Sequence, residues 1–282
     1  MNPVVAVIAA GAMGAAVGKR LTERGVKVLT SLTGRSRATV ARAEDARMVA
    51  AGDDEIASAD FILSILPPGD ALPLAQRLAP ALRTSNVKPL YVDCNAINPA
   101  TVAKVAEAIA ASGCAFVDCG IIGPPPKGPQ LSPRFYASGA AAGRFATLRQ
   151  YGLDVRVLSG SPSAASALKM SYAGITKGAQ AVGAAMLLAA VRAGSGADLF
   201  AELSFSQKEM LAQFQQQLPQ MPAKAYRWVA EMQEIAGFVG DDPAARQLYE
   251  AAARFYRQMA EDFAADKSAA AALTAFLRDH SS

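Results

Sequence analysis

The first 160 residues alternate short β-branched segments with helical segments, and this alternation limits the fold more than any other feature of the sequence. Successive strand segments are about 20–30 residues apart, which leaves room for a crossover helix between parallel strands. The pattern therefore predicts an α/β fold with a doubly wound, mostly parallel sheet. The predicted strands are 4–8, 26–29, 61–66, 90–92 and 115–117, and the predicted helices are 12–24, 37–46, 70–82 and 99–112.

The second part of the chain has a different pattern. After Ser159-Gly160-Ser161-Pro162 the strand-like segments disappear, and a long helix over 163–193 is followed by four or five shorter ones. We predict two domains, 1–160 and an all-helical domain over 161–282. The apolar run 178–191 lies between Lys177 and Arg192 and is shorter than the roughly 20 residues that a membrane span needs, so we expect a buried core helix.

Composition excludes several classes of function. His280 is the single histidine, which removes Ser-His-Asp and Cys-His hydrolases and multi-histidine metal sites, so we expect no metal. The 28 basic residues barely exceed the 24 acidic ones and form no long run, so nucleic-acid binding is not expected. The three cysteines, Cys94, Cys114 and Cys119, lack metal-ligand spacing and are expected to be reduced core residues of a cytoplasmic protein.

A small-residue turn follows the first strand. Gly11, Ala12, Met13 and Gly14 have the spacing of the G-x-G-x-x-G dinucleotide fingerprint, with alanine in the first glycine position. Gly11 would let the backbone approach a pyrophosphate, and Gly14 would let the helix pack against the strand. The alternative is a turn that serves only to pack a helix on a strand.

The residues after the second strand indicate whether the chain binds NADP or NAD. An NAD site would place an acidic residue there, but this chain has Thr33, Arg35, Ser36 and Arg37. Arginine and hydroxyl side chains suit a dianionic 2′-phosphate, and arginines 35, 37, 42 and 47 lie close together in sequence. We therefore expect NADP, with NAD less favoured. The alternative is a solvated basic loop in which Ser36 caps the next helix.

Two later strand ends are also candidate ligand contacts, because open α/β sheets bind ligands at their carboxyl edge. The first carries Leu66 and Pro67, and the second carries Asn95. Asn98 precedes Pro99 and is most simply a helix N-cap. Asn95 has no such local role, so we predict that it contacts the nicotinamide ribose or the substrate.

Taken together, these motifs resemble the β-hydroxyacid dehydrogenase superfamily, which includes 6-phosphogluconate and 3-hydroxyisobutyrate dehydrogenases. The similarity extends over essentially the whole chain, and within the superfamily the chain is most similar to a branch of phosphogluconate dehydrogenase-like oxidoreductases. The resemblance implies a Rossmann domain followed by an all-helical domain for substrate binding and dimerisation. The segments that carry it are 31–36, 64–69, 93–99, 118–123, 176–178 and 227–232.

The resemblance also implies catalytic and substrate residues. The family's general acid or base, a lysine early in the long helix, matches Lys169, and the loop that holds the substrate matches Gly123. The family's asparagine one turn after the lysine is replaced by Tyr172 or Ala173, so Tyr172 would either contact substrate or be a core residue. Lys177 would hold an anionic group or be a solvated lysine.

A second departure concerns the substrate loop. The family's Ser-Gly-Gly reads Ile122-Gly123-Pro124 here, and Pro125 and Pro126 follow, so the serine hydroxyl and several amide donors are absent. The substrate would then be bulkier than a small 3-hydroxyacid, be held by Lys177 or Arg227, or not be a carboxylate. Glu231 and Glu234 lie on one helix face, which is either an exposed acidic stripe or a site for a cationic group.

We therefore expect an NADP-dependent dehydrogenase or reductase acting on CH–OH groups, with Lys169 moving the proton. The alternatives are an imine reductase on the same fold and a non-catalytic NADP-binding sensor. The alanine- and methionine-rich surface of the long helix predicts a homodimer formed through the helical domain.

Overall fold

The computed structural model describes residues 2–128 and 132–278, and His280 lies outside them. The chain divides into two compact units, Met1–Met170 and Ser171–Ser282. The predicted domain boundary after residue 160 stays a prediction.

The first unit is built on one sheet, which has eight strands within the described residues. Its strand order is β3-β2-β1-β4-β5-β6-β7-β8, and every neighbouring pair is parallel except β6 with β7. This confirms the predicted α/β class. The strands are β1 Val4–Ile8, β2 Lys27–Thr30, β3 Val49–Ala50, β4 Phe61–Ser64, β5 Leu90–Asp93, β6 Ala115–Ile122, β7 Arg134–Ser138 and β8 Asp154–Val157.

Helices cover both faces of this sheet, so alternate residues of each strand enter two different apolar cores. In β1, Val5 and Val7 belong to one core, and Ala6 and Ile8 belong to the other. This double burial explains why the strands read as continuous apolar runs. The helices of this unit are α1 Ala12–Thr22, α2 Arg37–Asp45, α3 Asp53–Ala57, α4 Ala71–Thr84, α5 Pro99–Ala110 and α6 Ala142–Phe145.

Helix α7, Ala164–Arg192, begins in the first unit and continues into the second. It matches the predicted long helix closely. By length and composition α7 is apolar enough to cross a bilayer, a test that core helices of soluble proteins also pass.

The second unit is helical throughout its described residues. Its core contains Leu218, Met232, Ile235, Tyr256 and Leu273, all nearly inaccessible to solvent. The remaining helices are α8 Gly196–Ser206, α9 Lys208–Gln217, α10 Pro222–Phe238, α11 Pro243–Ala264 and α12 Ser268–Arg278.

The three cysteines are free and buried, as predicted. The sequence patterns missed β3, β7, β8, α3 and α6. The predicted second strand is displaced by one residue from β2, and the predicted third strand runs two residues beyond β4. The predicted fourth strand stops one residue short of the end of β5, and β6 continues five residues beyond the prediction.

Candidate functional site

The turn between β1 and α1 has the shape of an anion cradle. Gly11 is the residue before the helix, it has no side-chain cap, and a side chain added there would meet no atom within 4 Å. The first-turn amides of α1, which include Ala12 and Met13, have no carbonyl partners inside the helix. A Cβ on Gly14 would overlap the carbonyl oxygen of Ala9, so only glycine lets α1 pack this closely. The turn therefore leaves both space and amide donors for a phosphate group.

The loop between β2 and α2 carries the residues predicted to bind a 2′-phosphate. Thr33, Arg35 and Ser36 are exposed, and Ser36 Oγ accepts a hydrogen bond from the Thr39 amide at 3.3 Å. Ser36 therefore does cap α2, which was the alternative interpretation of this residue. The cap does not decide whether Ser36 also contacts a cofactor, and that contact stays a prediction.

Arg42 lies in this site, although the sequence indicated only that it is close to arginines 35, 37 and 47 and predicted no cofactor contact for it. Its Nε donates to the Ala10 carbonyl oxygen at 3.1 Å, and its Nη2 donates to Thr39 Oγ1 at 2.9 Å. The guanidinium thus lies between the glycine turn and α2. The three-residue spacing of Thr39 and Arg42 on a predicted helix was the available signal.

The buried hydroxyl of Thr30 lies at the carboxyl end of β2, on the same side of the sheet as this loop. Its oxygen has no hydrogen-bond partner within the described part of the chain. Buried polar groups usually have partners, so an unpartnered one at the carboxyl end of β2 is consistent with a site that a polar ligand completes.

Asn95 connects the ends of β4 and β5. Its Oδ1 accepts from the Leu66 amide at 2.5 Å, and its Nδ2 donates to Ser64 Oγ at 2.8 Å and to Asp93 Oδ2 at 3.1 Å. The side chain is 2% exposed. Asn95 therefore fixes the loop that carries Leu66 and Pro67, while its predicted contact with the ribose or substrate stays a prediction. Asn98 caps α5 through the Thr101 amide, as predicted.

Burial gives Asp93 an unusual acidity. The carboxyl group is completely enclosed, which raises its pKa from the ordinary 3.8 to about 7, although hydrogen bonds from the amide and side chain of Asn95 act in the opposite direction. Its neighbour across the sheet is Asp118. Burial raises the pKa of Asp118 as well.

Lys169 lies where α7 crosses β6. Its Nζ donates to the carbonyl oxygen of Ile121 at 2.9 Å, and the side chain is half-buried. A Cβ added to Gly120 would lie 2.8 Å from the Ala165 carbonyl oxygen and 3.0 Å from Lys169 Cβ. Glycine at position 120 thus permits the close approach that brings the lysine over the carboxyl end of the strand.

Gly123 follows directly after β6. It has a φ of +123°, a conformation that L side chains rarely adopt, and a Cβ there would lie 3.1 Å from Pro133 Cα. The residue is exposed, as its predicted contact with substrate requires. Pro124, Pro125 and Pro126 follow it, and the substrate contact itself stays a prediction.

Two predicted substrate residues, Tyr172 and Lys177, lie in the second unit. Tyr172 is 49% exposed and is therefore not a core tyrosine. Lys177 forms an ion pair with Glu231, and its Nζ lies 5.0 Å from the centre of the Trp228 ring. Tyr256 donates a hydrogen bond to the Lys177 carbonyl oxygen at 2.6 Å. Lys177 is thus neither a solvated lysine nor an open anion site, and Glu231 is not part of an exposed stripe.

Comparisons with known families match two separate parts of the chain. The NAD binding domain of 6-phosphogluconate dehydrogenase matches residues 4–142, and a domain of unknown function (DUF1932) matches residues 190–259. No curated protein matches the sequence.

Solved structures share the fold over nearly the whole chain. The conserved protein MTH1747, described as similar to 3-hydroxyacid dehydrogenases, is 29% identical with a TM-score of 0.67 and covers 91% of this chain and 96% of its own. Mycobacterium tuberculosis 3-hydroxyisobutyrate dehydrogenase with L-serine is 18% identical, with a TM-score of 0.68 and coverage of 97% and 98%. An imine reductase from Myxococcus stipitatus in complex with NADP+ is 18% identical, with a TM-score of 0.55 and coverage of 98% and 100%.

Proposed function

Because the chain belongs to the β-hydroxyacid dehydrogenase superfamily, we propose that it is an NADP-dependent oxidoreductase that interconverts a hydroxyl and a carbonyl group. Lys169 is the general acid or base of the reaction. The observation that carries the proposal is the position of Lys169 Nζ, held by the Ile121 carbonyl oxygen at the carboxyl edge of the sheet. Ligands of open α/β sheets bind at this edge.

The residues of the first unit fit a dinucleotide. Gly11, Ala12, Met13 and Gly14 supply an uncapped helix start and open space for the pyrophosphate, and the loop with Leu66 and Pro67 borders the same edge. A nicotinamide held by these residues would supply the hydride-transfer chemistry that links an alcohol carbon with a carbonyl carbon. The protein contributes orientation and the proton transfer.

The preference for NADP comes from charge. The loop after β2 has no acidic residue to accept a hydrogen bond from a ribose 2′-hydroxyl, and it presents Arg35 with the hydroxyls of Thr33 and Ser36. Arg42 adds a second guanidinium beside the glycine turn. Two guanidinium groups next to hydroxyl donors favour the dianionic 2′-phosphate.

Lys169 completes the chemistry at the substrate oxygen. As an amine, Nζ takes the hydroxyl proton while the alcohol carbon loses hydride; as an ammonium, Nζ gives a proton to the carbonyl oxygen in the reverse direction. The three prolines after Gly123 leave few amide donors in this loop for a substrate carboxylate. We therefore propose that the substrate is not a small 3-hydroxyacid.

The test is a panel of hydroxyacids, alcohols, aldehydes, ketones and imines, assayed with NADPH or NADP+ and with NADH or NAD+. We expect turnover of at least one alcohol–carbonyl pair with the phosphorylated cofactor. Lys169→Ala should lower kcat by about 100- to 10,000-fold, the usual effect of losing a general acid or base, while NADPH still binds. Lys104→Ala, at an exposed lysine on α5, is the matched control and should retain activity.

Three results would contradict the proposal in different ways. Equal or tighter binding of NADH would remove the NADP preference. Turnover of imines alone would identify an imine reductase. Binding of NADPH without turnover of any compound would indicate a non-catalytic NADP-binding sensor.

A further inference from the structure

Strand β6 contacts the beginning of α7 at three neighbouring positions. Asp118 binds the first turn of the helix, Gly120 lies directly beneath it, and the Ile121 carbonyl oxygen accepts the hydrogen bond from Lys169 Nζ. All of these residues belong to the first unit. One strand therefore holds both the start of the helix and the tip of its lysine.

The contact at Asp118 consists of three hydrogen bonds. Its Oδ1 accepts from Ser166 Oγ at 2.6 Å, and its Oδ2 accepts from the Ser166 amide at 2.8 Å. Oδ2 also lies 3.2 Å from Ser138 Oγ, whose hydroxyl it shares with the Pro162 carbonyl oxygen at 3.0 Å. Ser138, the partner of Asp118 across β6 and β7, also accepts from the Ala165 amide at 3.0 Å. Two first-turn amides of α7 are therefore satisfied by side chains of the sheet.

This is an unusual way to begin a helix. An N-cap side chain ordinarily comes from the residue just before the helix, where it fixes only local backbone. Here the accepting groups come from two strands: Asp118 on β6 is 1% exposed, and Ser138 on β7 is 0% exposed. A buried carboxylate is costly to desolvate, and hydrogen bonds to a charged acceptor are stronger than neutral ones. The first turn of α7 is thus fixed to the sheet itself.

We propose that Asp118 is a positioning residue for Lys169, acting through the first turn of α7. Lys169 comes three residues after Ser166, one helical turn further along. Any shift of the first turn therefore moves the lysine relative to the Ile121 carbonyl oxygen. The inference rests on the proposed function only for its effect on turnover, because the position of Lys169 can be measured without a substrate.

The test compares three variants of the full-length protein. Asp118→Ala removes both acceptor oxygens and with them all three hydrogen bonds. Asp118→Asn keeps the anchor, because its amide oxygen can accept from the Ser166 amide and from Ser138, and its NH2 can donate to the Ser166 hydroxyl. Asp262→Ala is the control, since Asp262 caps α12 in the second unit and also accepts three hydrogen bonds. The donors are the amides of Ala269 and Ala270 and Ser268 Oγ, at 2.8, 3.0 and 3.1 Å.

Two readouts separate this inference from the proposed function. The first is kcat and KM on the substrate found by the panel: Asp118→Ala should lower kcat on the order of 100-fold, as a misplacement of about 1 Å does, with an unchanged KM for NADPH. Asp118→Asn and Asp262→Ala should stay within about threefold of the parent, well below the tenfold step that 1.4 kcal/mol represents. The second readout is the NMR titration of the ¹³Cε signal of Lys169, assigned with Lys169→Arg.

The outcomes are distinct. A changed Lys169 signal and titration in Asp118→Ala, restored in Asp118→Asn and absent in Asp262→Ala, supports the inference even when no substrate is found. An unchanged Lys169 signal together with unchanged kcat in folded Asp118→Ala overturns it. Where Asp118→Ala does not fold, Ser166→Ala replaces it, because that variant removes only the Ser166 hydroxyl bond, and an unchanged Lys169 signal there overturns the inference equally.

Discussion

At the scale of single residues, the enclosed carboxyl group of Asp93 makes the stability of the first unit depend on pH. Burial raises the pKa of Asp93 in the folded protein to about 7, above its ordinary 3.8. The folded state therefore binds more protons than the unfolded state between these values, so its stability decreases as the pH rises. The stabilisation that comes from protonation of Asp93 is fully present below about pH 4 and is lost as the pH approaches 7. At about 1.4 kcal/mol per pKa unit, it amounts to at most about 4 kcal/mol of the free energy of unfolding.

Urea unfolding at pH 5 and pH 8 checks this prediction. The parent should have a lower free energy of unfolding at pH 8, and Asp93→Asn should reduce the difference. Burial also raises the pKa of Asp118, so part of the difference should remain in Asp93→Asn. Asp45→Asn is the control: Lys19 lowers the pKa of Asp45, so its titration lies below this window. A parent whose stability is constant or higher at pH 8 would contradict the assignment.

Sequence alone predicted local residue roles better than long-range ones. Asn98 was identified as a cap because its partner, Thr101, is three residues away. The partners of Asn95 include Leu66 and Ser64, which become neighbours only when β4 and β5 pair. No local pattern contains that pairing, so the polar side chain of Asn95 was interpreted only as a ligand contact. Lys169 was found through the family resemblance rather than through its spacing.

At the scale of secondary-structure elements, the start of α2 combines a helix cap with a proposed NADPH contact, and Ser36 can serve in both. Ser36 caps the helix, Thr39 contacts both Ser36 and Arg42, and Arg35 lies exposed just before the cap. Ser36→Ala should reduce stability by about 0.5–2 kcal/mol, the usual cost of losing such a cap. It should also weaken NADPH binding, though less than Arg35→Ala, which removes a charge.

Fluorescence titration with NADPH and NADH measures both variants, and chemical denaturation gives their stability. Arg35→Ala should weaken NADPH binding at least about tenfold, equivalent to 1.4 kcal/mol, without weakening NADH binding. Lys27→Ala is the control, because Lys27 lies exposed at the opposite end of β2. If Ser36→Ala lowers stability while NADPH affinity is unchanged, Ser36 acts only as a cap.

Sequence patterns predicted the longer helices, such as α1, α5 and α7, and the strands that read as continuous apolar runs, such as β1 and β4. The missed elements depend on partners. β3 has only two residues and exists through its pairing with β2, and β7 pairs antiparallel with β6 in a region without the strand–helix alternation. Short segments of this kind carry too few residues for a period to be recognised, so tertiary pairing decides their structure.

At the scale of the whole molecule, the apolar surface of the second unit leads us to propose a homodimer. Ile175, Val182 and Met186 on α7 are 72%, 56% and 60% exposed, and Leu248 on α11 is 55% exposed. Between α7 and α11 lies an apolar groove of about 400 Å³. Large contiguous apolar patches on soluble proteins usually mark interaction sites, and a second copy of the same helices supplies a matching surface.

Size-exclusion chromatography with light scattering tests this proposal. The parent should have twice the 29.2 kDa mass of one chain. Val182→Glu places a charge in the groove and should give a monomer, because an unpaired buried charge costs far more than an interface can tolerate. Phe205→Glu, at an 82% exposed position that does not line this groove, should remain dimeric. Circular dichroism confirms that both variants are helical.

NADPH binding should not depend on dimerisation, because the residues proposed to hold NADP all lie in the first unit. Monomeric Val182→Glu should therefore bind NADPH with the affinity of the parent, while any loss of turnover reports on the helical unit alone. A parent that is monomeric at micromolar concentration would refute the dimer, and so would a Val182→Glu variant that keeps the mass of two chains. A monomer that loses NADPH affinity would show instead that dimerisation supports the Rossmann domain.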